Sequence, residues 1–217
     1  MGFDLLIFDF DGTLVDTRVD ITNSVNDVLS RFHLPAKGVD EVTSYVGDGI
    51  GKIVERTIKG TDIPLDEAVE LFKESYAARL LQNTKTYTGV PETLDSLPGR
   101  VMAVLTNKAF QYTKAIIDGL GLAGYFSVVL GGDSVKNRKP STEGIDLILD
   151  ETGVERRRAV MIGDGPNDVL TAKNAGIQSI FVTYGFNPPE KVVHLGPDFV
   201  VDRLPEIVEI CLERAPR

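Results

Sequence analysis

Four short clusters hold side chains that could do chemistry. The first is Asp9-Phe10-Asp11-Gly12-Thr13-Leu14-Val15-Asp16-Thr17. In extended backbone, residues two apart share a face, so Asp9 and Asp11 would present two carboxylates together. Two such anions repel, and one pKa rises unless a cation sits between them. Gly12 suits a sharp exit from a strand. The second cluster, Gly163-Asp164-Gly165-Pro166-Asn167-Asp168, adds two more carboxylates. Three or four carboxylates converging on one place suggest a hard cation. Ligation by one or two of them, with phosphate oxygens and water, is the habit of magnesium. The third cluster, Thr106-Asn107-Lys108, offers a hydroxyl and backbone N–H groups that suit a phosphate oxygen. The fourth, Lys136-Asn137-Arg138-Lys139-Pro140, offers cations.

Each cluster alone has an ordinary explanation. These are an Asx-capped turn, a helix start that favours acids, a helix cap and a solvated basic loop. Their placement argues otherwise. Short apolar runs at Leu5–Phe8, Val101–Leu105, Val128–Leu130, Ala159–Ile162, Ser179–Val182 and, more weakly, Phe199–Val201 read as buried parallel strands. Helical segments lie between the later ones. Ile116, Ile117 and Leu120 mark one; Ile145, Leu147, Ile148 and Leu149 mark another, opened by Ser141-Thr142 as a cap. Val169, Leu170 and Ala172 mark a third, with Pro166 in its first turn. The alternation predicts an α/β fold, a Rossmann-like doubly wound parallel sheet. Every cluster follows a predicted strand, and such sheets bind ligands beyond the carboxyl ends of their strands.

Residues 16–84 break the alternation and read as helices only. Ile21, Val25, Val28, Leu29 and Phe32 form one stripe, and Ile50, Ile53, Val54 and Ile58 a second. Leu65, Val69, Leu71, Phe72, Tyr76, Leu80 and Leu81 form a third. This is too long for an ordinary crossover, where loops run about 2 to 6 residues beside one helix. The expectation is an inserted all-helical cap, 16–84, on a core of 1–15 and 85–217. Gly47-Asp48-Gly49 would form a loop that closes over the site. Arg18 and Lys52 are ambiguous, His33 reads as a helix-end residue, and Cys211 and Tyr76 read as packing.

The combination resembles the haloacid dehalogenase-like superfamily of phosphatases. The resemblance runs from Asp9 to Asp168 and includes the insertion. It is closest to the phosphoglycolate phosphatase group, to which Tyr45-Val46-Gly47-Asp48-Gly49, Leu105-Thr106-Asn107-Lys108, Gly131-Gly132-Asp133 and Thr183-Tyr184-Gly185-Phe186-Asn187 are similar. It implies Asp9 as nucleophile and Asp11 as acid and then base. Thr106 and the Asn107 N–H would hold the transferring phosphoryl, with Gly12, Thr13, Gly47 and Gly49 beside the substrate, and Lys139 would neutralise its charge. Asp9, the Asp11 main-chain carbonyl, Asp164 and Asp168 would bind Mg²⁺. The implied reaction is hydrolysis of a small phosphomonoester, best matched by 2-phosphoglycolate. Alternatives are pyrophosphate, a nucleotide or a sugar phosphate. The dehalogenases resembled lack an acid at the Asp11 position. Phosphohexose mutases usually carry a His where Ile21 stands, which counts against a mutase. A receiver-like domain that only accepts phosphate on Asp9 would lack the insertion and Asp11.

Composition narrows the partners. The 217 residues carry 32 acids and 23 bases, a net charge of -9, so a basic stripe for nucleic acid or a membrane surface is not expected. One cysteine and two histidines leave little for a thiolate or imidazole metal site. No apolar run suits a membrane span and no signal peptide is visible, so a cytoplasmic monomer or homodimer acting on a small phosphorylated molecule is expected.

Overall fold

The computed structural model describes residues 2–212. The elements run β1 (Leu5–Phe8), β2 (Val15–Asp16), α1 (Arg18–Arg31), α2 (Val39–Thr43), α3 (Ile50–Thr57), α4 (Leu65–Ala77), β3 (Lys85–Thr86), α5 (Val90–Asp95), β4 (Val101–Leu105) and α6 (Phe110–Gly119). They continue β5 (Val128–Leu130), α7 (Glu143–Thr152), β6 (Ala159–Gly163), α8 (Pro166–Ala175), β7 (Gln178–Val182), β8 (Phe199–Val201) and α9 (Ile207–Leu212). No described helix is long and apolar enough to cross a membrane.

Six strands form one parallel sheet in the order β5-β4-β1-β6-β7-β8. Leu5, Leu6, Ile7 and Phe8 of β1 are all fully buried, because side chains of alternate sign face helices on both sides. Leu6 and Phe8 join one core layer; Leu5 and Ile7 join the other with Ile145, Ile148 and Met161. Truncating any of them to Ala would cost roughly 2–5 kcal/mol. The chain winds outward from β1 in both directions, which opens a crevice at the carboxyl end of β1. The loops after β1, β4, β5 and β6 all meet there.

Between β1 and β4 lies the helical layer α1–α4. It enters and leaves through a two-stranded antiparallel ribbon in which Val15 pairs with Thr86 and Asp16 with Lys85. Its own apolar cluster joins Ile21, Val25, Val28 and Leu29 of α1 to Val42, Ile53, Val54, Ala68, Phe72 and Tyr76, with Tyr112 of α6 completing it. Buried Asp20 ties the start of the layer to its end. Its carboxylate accepts from the N–H groups of Asn83 (2.9 Å) and Thr84 (2.8 Å), from Asn83 Nδ2 (2.8 Å) and from Thr84 Oγ1 (2.8 Å).

Two local expectations need correction. The third helical stripe stops at Ala77, so Leu80 and Leu81 lie beyond α4. Leu81 packs on Gly119 at the end of α6, where its side chain fills the space a Cβ would take. At α7, Thr142 is the N-cap residue, but its hydroxyl donates to Asp146 (2.7 Å), and Ser141 Oγ accepts the Glu143 N–H (3.3 Å).

Candidate active site

Asp9 leaves β1 with its N–H bonded to the Ile162 carbonyl of β6 (2.8 Å), which extends the sheet register one residue into the crevice. Across from it, Asp164 and Asp168 follow β6. Among the described residues, Asp9, Asp164 and Asp168 form a group of carboxylates with ligand atoms within 4.8 Å of one another. The folded chain crowds them because glycines let it. A Cβ on Gly185 would lie 2.2 Å from Asp164 Cβ, and one on Gly163 would lie 2.2 Å from Asp168 Cγ. Gly12, at φ 88°, likewise makes room for Asp164, since a Cβ there would lie 2.7 Å from the Asp164 Cγ.

Asp164 Oδ2 accepts from the Phe186 N–H (2.7 Å), and its Oδ1 from Thr13 Oγ1 (3.3 Å). Even so, burial, reinforced by the charges of Asp9 and Asp168, pushes its pKa up to about 8. Burial, with Asp9 next, likewise pushes Asp168 up to about 6. Asp168 reaches back to the Gly165 N–H that opens α8 (2.9 Å) and accepts Lys139 Nζ on its other oxygen (2.6 Å). Lys139 is buried, which by itself disfavours its charge, but Asp168 and Asp9 outweigh this and hold its pKa well above the ordinary lysine value. Its ammonium lies 2.9 Å from Asp9 Oδ1, off the hydrogen-bonding directions, so that buried oxygen has no hydrogen-bond donor. Three carboxylates with ligand atoms crowded this closely, an all-oxygen donor set, fit a hard divalent cation.

Asp11 stands apart from that trio. Thr17 Oγ1 donates to its Oδ1 (2.8 Å), and Lys108 Nζ lies 3.2 Å from both of its oxygens. Its carboxylate is therefore engaged by Thr17 and Lys108 and is not part of the Asp9–Asp164–Asp168 group. Thr106, at the end of β4, is buried and lines the cavity. Asn107 acts as a strut: its Oδ1 accepts the Lys139 N–H (3.0 Å), and its Nδ2 donates to the carbonyls of Lys139 (3.1 Å) and Gly47 (2.9 Å). The N–H groups of Gly12 and Thr13 are spent within their own loop, on Val15 O (2.9 Å) and Phe10 O (3.3 Å). Neither residue lines the cavity; both instead support Asp164.

The helical layer covers this crevice and leaves a cavity of 260 Å³. Ile21, Val46, Ile53 and Phe72 make its far wall largely apolar. Gly47 and Gly49 form its rim. Asn167 Nδ2 donates to Asp48 Oδ1 (3.1 Å) and Gly47 O (3.3 Å), while Arg138 Nη1 reaches Asp48 O (3.4 Å). Three core loops thus hold the Gly47–Gly49 segment down. Gly131 and Gly132 allow this approach: Cβ atoms there would fall 2.3 Å from the Phe110 nitrogen and 2.4 Å from Asn107 O.

Sequence reasoning missed two participants. Lys108 is buried beside Asp11, and Tyr76 accepts from it through its hydroxyl (2.6 Å). Tyr76 does pack, as its stripe position implies, and also reaches the site. The signal lay in Lys108 itself, a cation at the edge of a strand whose neighbours in space are the carboxylates after another strand. Arg18 forks onto Asp16 (2.9 and 2.7 Å) and lies 5.8 Å over the Phe186 ring, while Lys52 pairs with exposed Glu55. His33 follows α1 at φ 56°, and Cys211 is buried.

Fold and crevice together define a protein of the doubly wound α/β class with a carboxylate-lined cavity at the carboxyl edge of its sheet. The chain belongs to the haloacid dehalogenase-like hydrolases, whose family model matches residues 6–182. It is 35% identical to the phosphoglycolate phosphatase of Vibrio parahaemolyticus, over 95% of either chain. It is also 35% identical to that of Agrobacterium fabrum, over 97% of this chain and 93% of the relative. A crystal structure described as a predicted phosphoglycolate phosphatase from Haemophilus somnus 129pt superposes with a TM-score of 0.92 at 28% identity, covering 96% of this chain and 97% of that one.

Proposed function

We propose that this hydrolase is a Mg²⁺-dependent phosphatase for small phosphomonoesters, with 2-phosphoglycolate as its best substrate. The observation that carries the reading is Asp9 at the carboxyl end of β1, with Asp164, Asp168 and Lys139 around it and Asp11 beside it, all lining a cavity under the helical layer. Residues 16–84 act as the cap. The two close relatives named phosphoglycolate phosphatase support the substrate choice.

The chain's own groups divide the work. An Asp9 oxygen attacks phosphorus while the bond to the substrate's ester oxygen breaks, and Asp11 gives its proton to the departing alkoxide. The products of this half are an aspartyl-phosphate and a free alcohol. In the second half Asp11 takes a proton from water as the water oxygen attacks phosphorus. The bond from phosphorus to Asp9 breaks, inorganic phosphate leaves, and both carboxyl groups return to their starting forms. Thr106 and the Asn107 N–H hold phosphoryl oxygens, and Lys139 offsets their charge. Asp9, the Asp11 carbonyl, Asp164 and Asp168 would hold Mg²⁺, which when bound supplies positive charge against the transferring phosphoryl.

The test is phosphate release from a panel of 2-phosphoglycolate, pyrophosphate, nucleotides and sugar phosphates, with Mg²⁺ and with chelator. Asp9→Asn should lower kcat by at least about 10⁴-fold. Full activity in Asp9→Asn would sink the nucleophile assignment. A pyrophosphate or nucleotide preference would overturn the substrate and leave the chemistry standing, and isomerised sugar phosphate without free phosphate would indicate a mutase.

A further inference from the structure

Lys108 carries a buried charge that neither half-reaction uses. Its side chain is 5% exposed, and moving an ammonium out of water is costly unless something answers it. The phosphoryl position already has Lys139. Lys108 faces elsewhere: its Nζ lies 3.2 Å from both Asp11 oxygens and donates to Tyr76 Oη at 2.6 Å. The Tyr76 ring centroid lies 4.6 Å from the same nitrogen, close enough for a cation–π contact. Tyr76 belongs to α4 of the helical layer and is itself fixed from two sides. It stacks on Phe72 at 5.6 Å and meets Tyr112 of α6 edge-on at 5.3 Å. Asp11 has one other side-chain partner, Thr17 Oγ1 at 2.8 Å, at the entry to α1. The carboxyl read as acid and base is thus held by Lys108 from the core and Thr17 from the entry to the helices, with Lys108 braced by Tyr76.

We propose that Lys108, braced by Tyr76, is a positioning residue that aims Asp11 for both proton transfers and makes that aim depend on the helical layer being in place. The inference rests on the phosphatase reading and on Asp11 as its acid and base. Two of the three ammonium N–H directions go to Asp11 and Tyr76. A misplaced Asp11 should impair proton delivery and leave phosphoryl binding intact, because geometry within hydrogen-bond reach is what general acid–base catalysis demands.

The test uses the full chain with Mg²⁺, an alkyl phosphate and para-nitrophenyl phosphate, whose phenolate departs without a proton. Lys108→Met should lower kcat on the alkyl phosphate by about 100-fold with KM nearly unchanged. With para-nitrophenyl phosphate it should keep a fast burst of nitrophenolate and slow the turnover that follows, since only the second half then needs Asp11. Tyr76→Phe, which keeps both ring contacts, should show the same pattern at about a tenfold loss. In an Asp11→Asn background, Lys108→Met should cost nothing further. Either of two results overturns the proposal: a raised KM with kcat preserved in Lys108→Met, which makes Lys108 a substrate anchor, or full additivity with Asp11→Asn. An unchanged kcat in both Lys108→Met and Tyr76→Phe overturns it as well. Failure of the phosphatase reading looks different, because the parent would then hydrolyse neither ester or Asp9→Asn would retain the activity.

Discussion

In the presence of chelator this protein should lose stability as the pH rises, and Asp164 is the main reason. Its carboxyl is pushed up to about 8 from an ordinary 3.8, first by burial and then by Asp9 and Asp168. The folded chain therefore keeps a proton that the unfolded chain has released, so stability falls as pH rises between those two values. Each pH unit in that window costs about 1.4 kcal/mol, so pH 5 to 7 costs about 2–3 kcal/mol from Asp164. Asp168, pushed up to about 6, adds to the slope in the lower part of the range. Lys139 adds none, because its ammonium is charged in both states there. At about 2–4 °C per kcal/mol for a chain of this size, the melting point should drop by some 5–10 °C. Asp164→Asn keeps the shape and can still accept the Phe186 N–H. In chelator at pH 7 it should be more stable than the parent by up to about 4 kcal/mol, with the gap closing toward pH 5. Mg²⁺ should narrow that gap by stabilising the parent alone, by about 2.7 kcal/mol at a hundred times Kd, and should close it near a thousand times Kd, where the gain is about 4.1 kcal/mol. Calorimetric or fluorimetric melts at pH 5, 6 and 7, with and without chelator, read all of this. A parent whose melting point stays flat over that range in chelator, or an Asp164→Asn that is no more stable at pH 7, would refute the reasoning.

Three substitutions probe the rest of the site. Gly49→Ala forces a φ of 89° on a side chain and sets its Cβ 2.6 Å from Arg138 Nη1, so it should cost about 1–2 kcal/mol and raise KM, read by melts and steady-state kinetics. Gly185→Ala places a methyl 2.2 Å from Asp164 Cβ and should abolish Mg²⁺-induced stabilisation in a calorimetric titration while the sheet's far-ultraviolet spectrum is kept. Asp20→Ala strands the N–H groups of Asn83 and Thr84 and should cost about 2–4 kcal/mol in urea denaturation, without shifting the preference among phosphate esters.

The parts of the molecule that sequence exposes are those with a local physical signature. β1, β4 and β6 are buried on both faces, so each is an unbroken apolar run. The carboxylates after β1 and β6 sit next to those runs. The β2–β3 ribbon has no such signature, because two residues on each side cannot show a period. The support of Asp164 by Phe186 and Asn187 joins positions 22 and 23 residues apart, and nothing near Asp164 announces it. Gly131 and Gly132 enter the sequence reading only as part of a family-like segment, yet their lack of a Cβ is what lets the β5 loop press on Phe110 and Asn107. Tyr76 shows where periodicity misleads: its ring satisfies the helical stripe completely, and the stripe says nothing of the hydroxyl at its end.

The charge balance of the crevice connects these observations. Asp9, Asp11, Asp164 and Asp168 bring four carboxyl groups, and Lys108 and Lys139 bring two ammonium groups, all largely out of water. Fully ionised, the crevice would hold two uncompensated negative charges in a place where water cannot dissipate them. The fold without a cation answers by keeping protons, as the raised Asp164 and Asp168 show. One divalent cation would answer instead by cancelling both charges, freeing Asp9 to act as an anion toward a phosphate that is itself anionic. On this argument the chain's overall charge of -9 does not repel the substrate at the point of reaction. Lys108 is neutralised by Asp11 and Lys139 stands between Asp9 and Asp168, so on the proposed reading a bound cation would add to Lys139 the positive charge that the phosphoryl group meets.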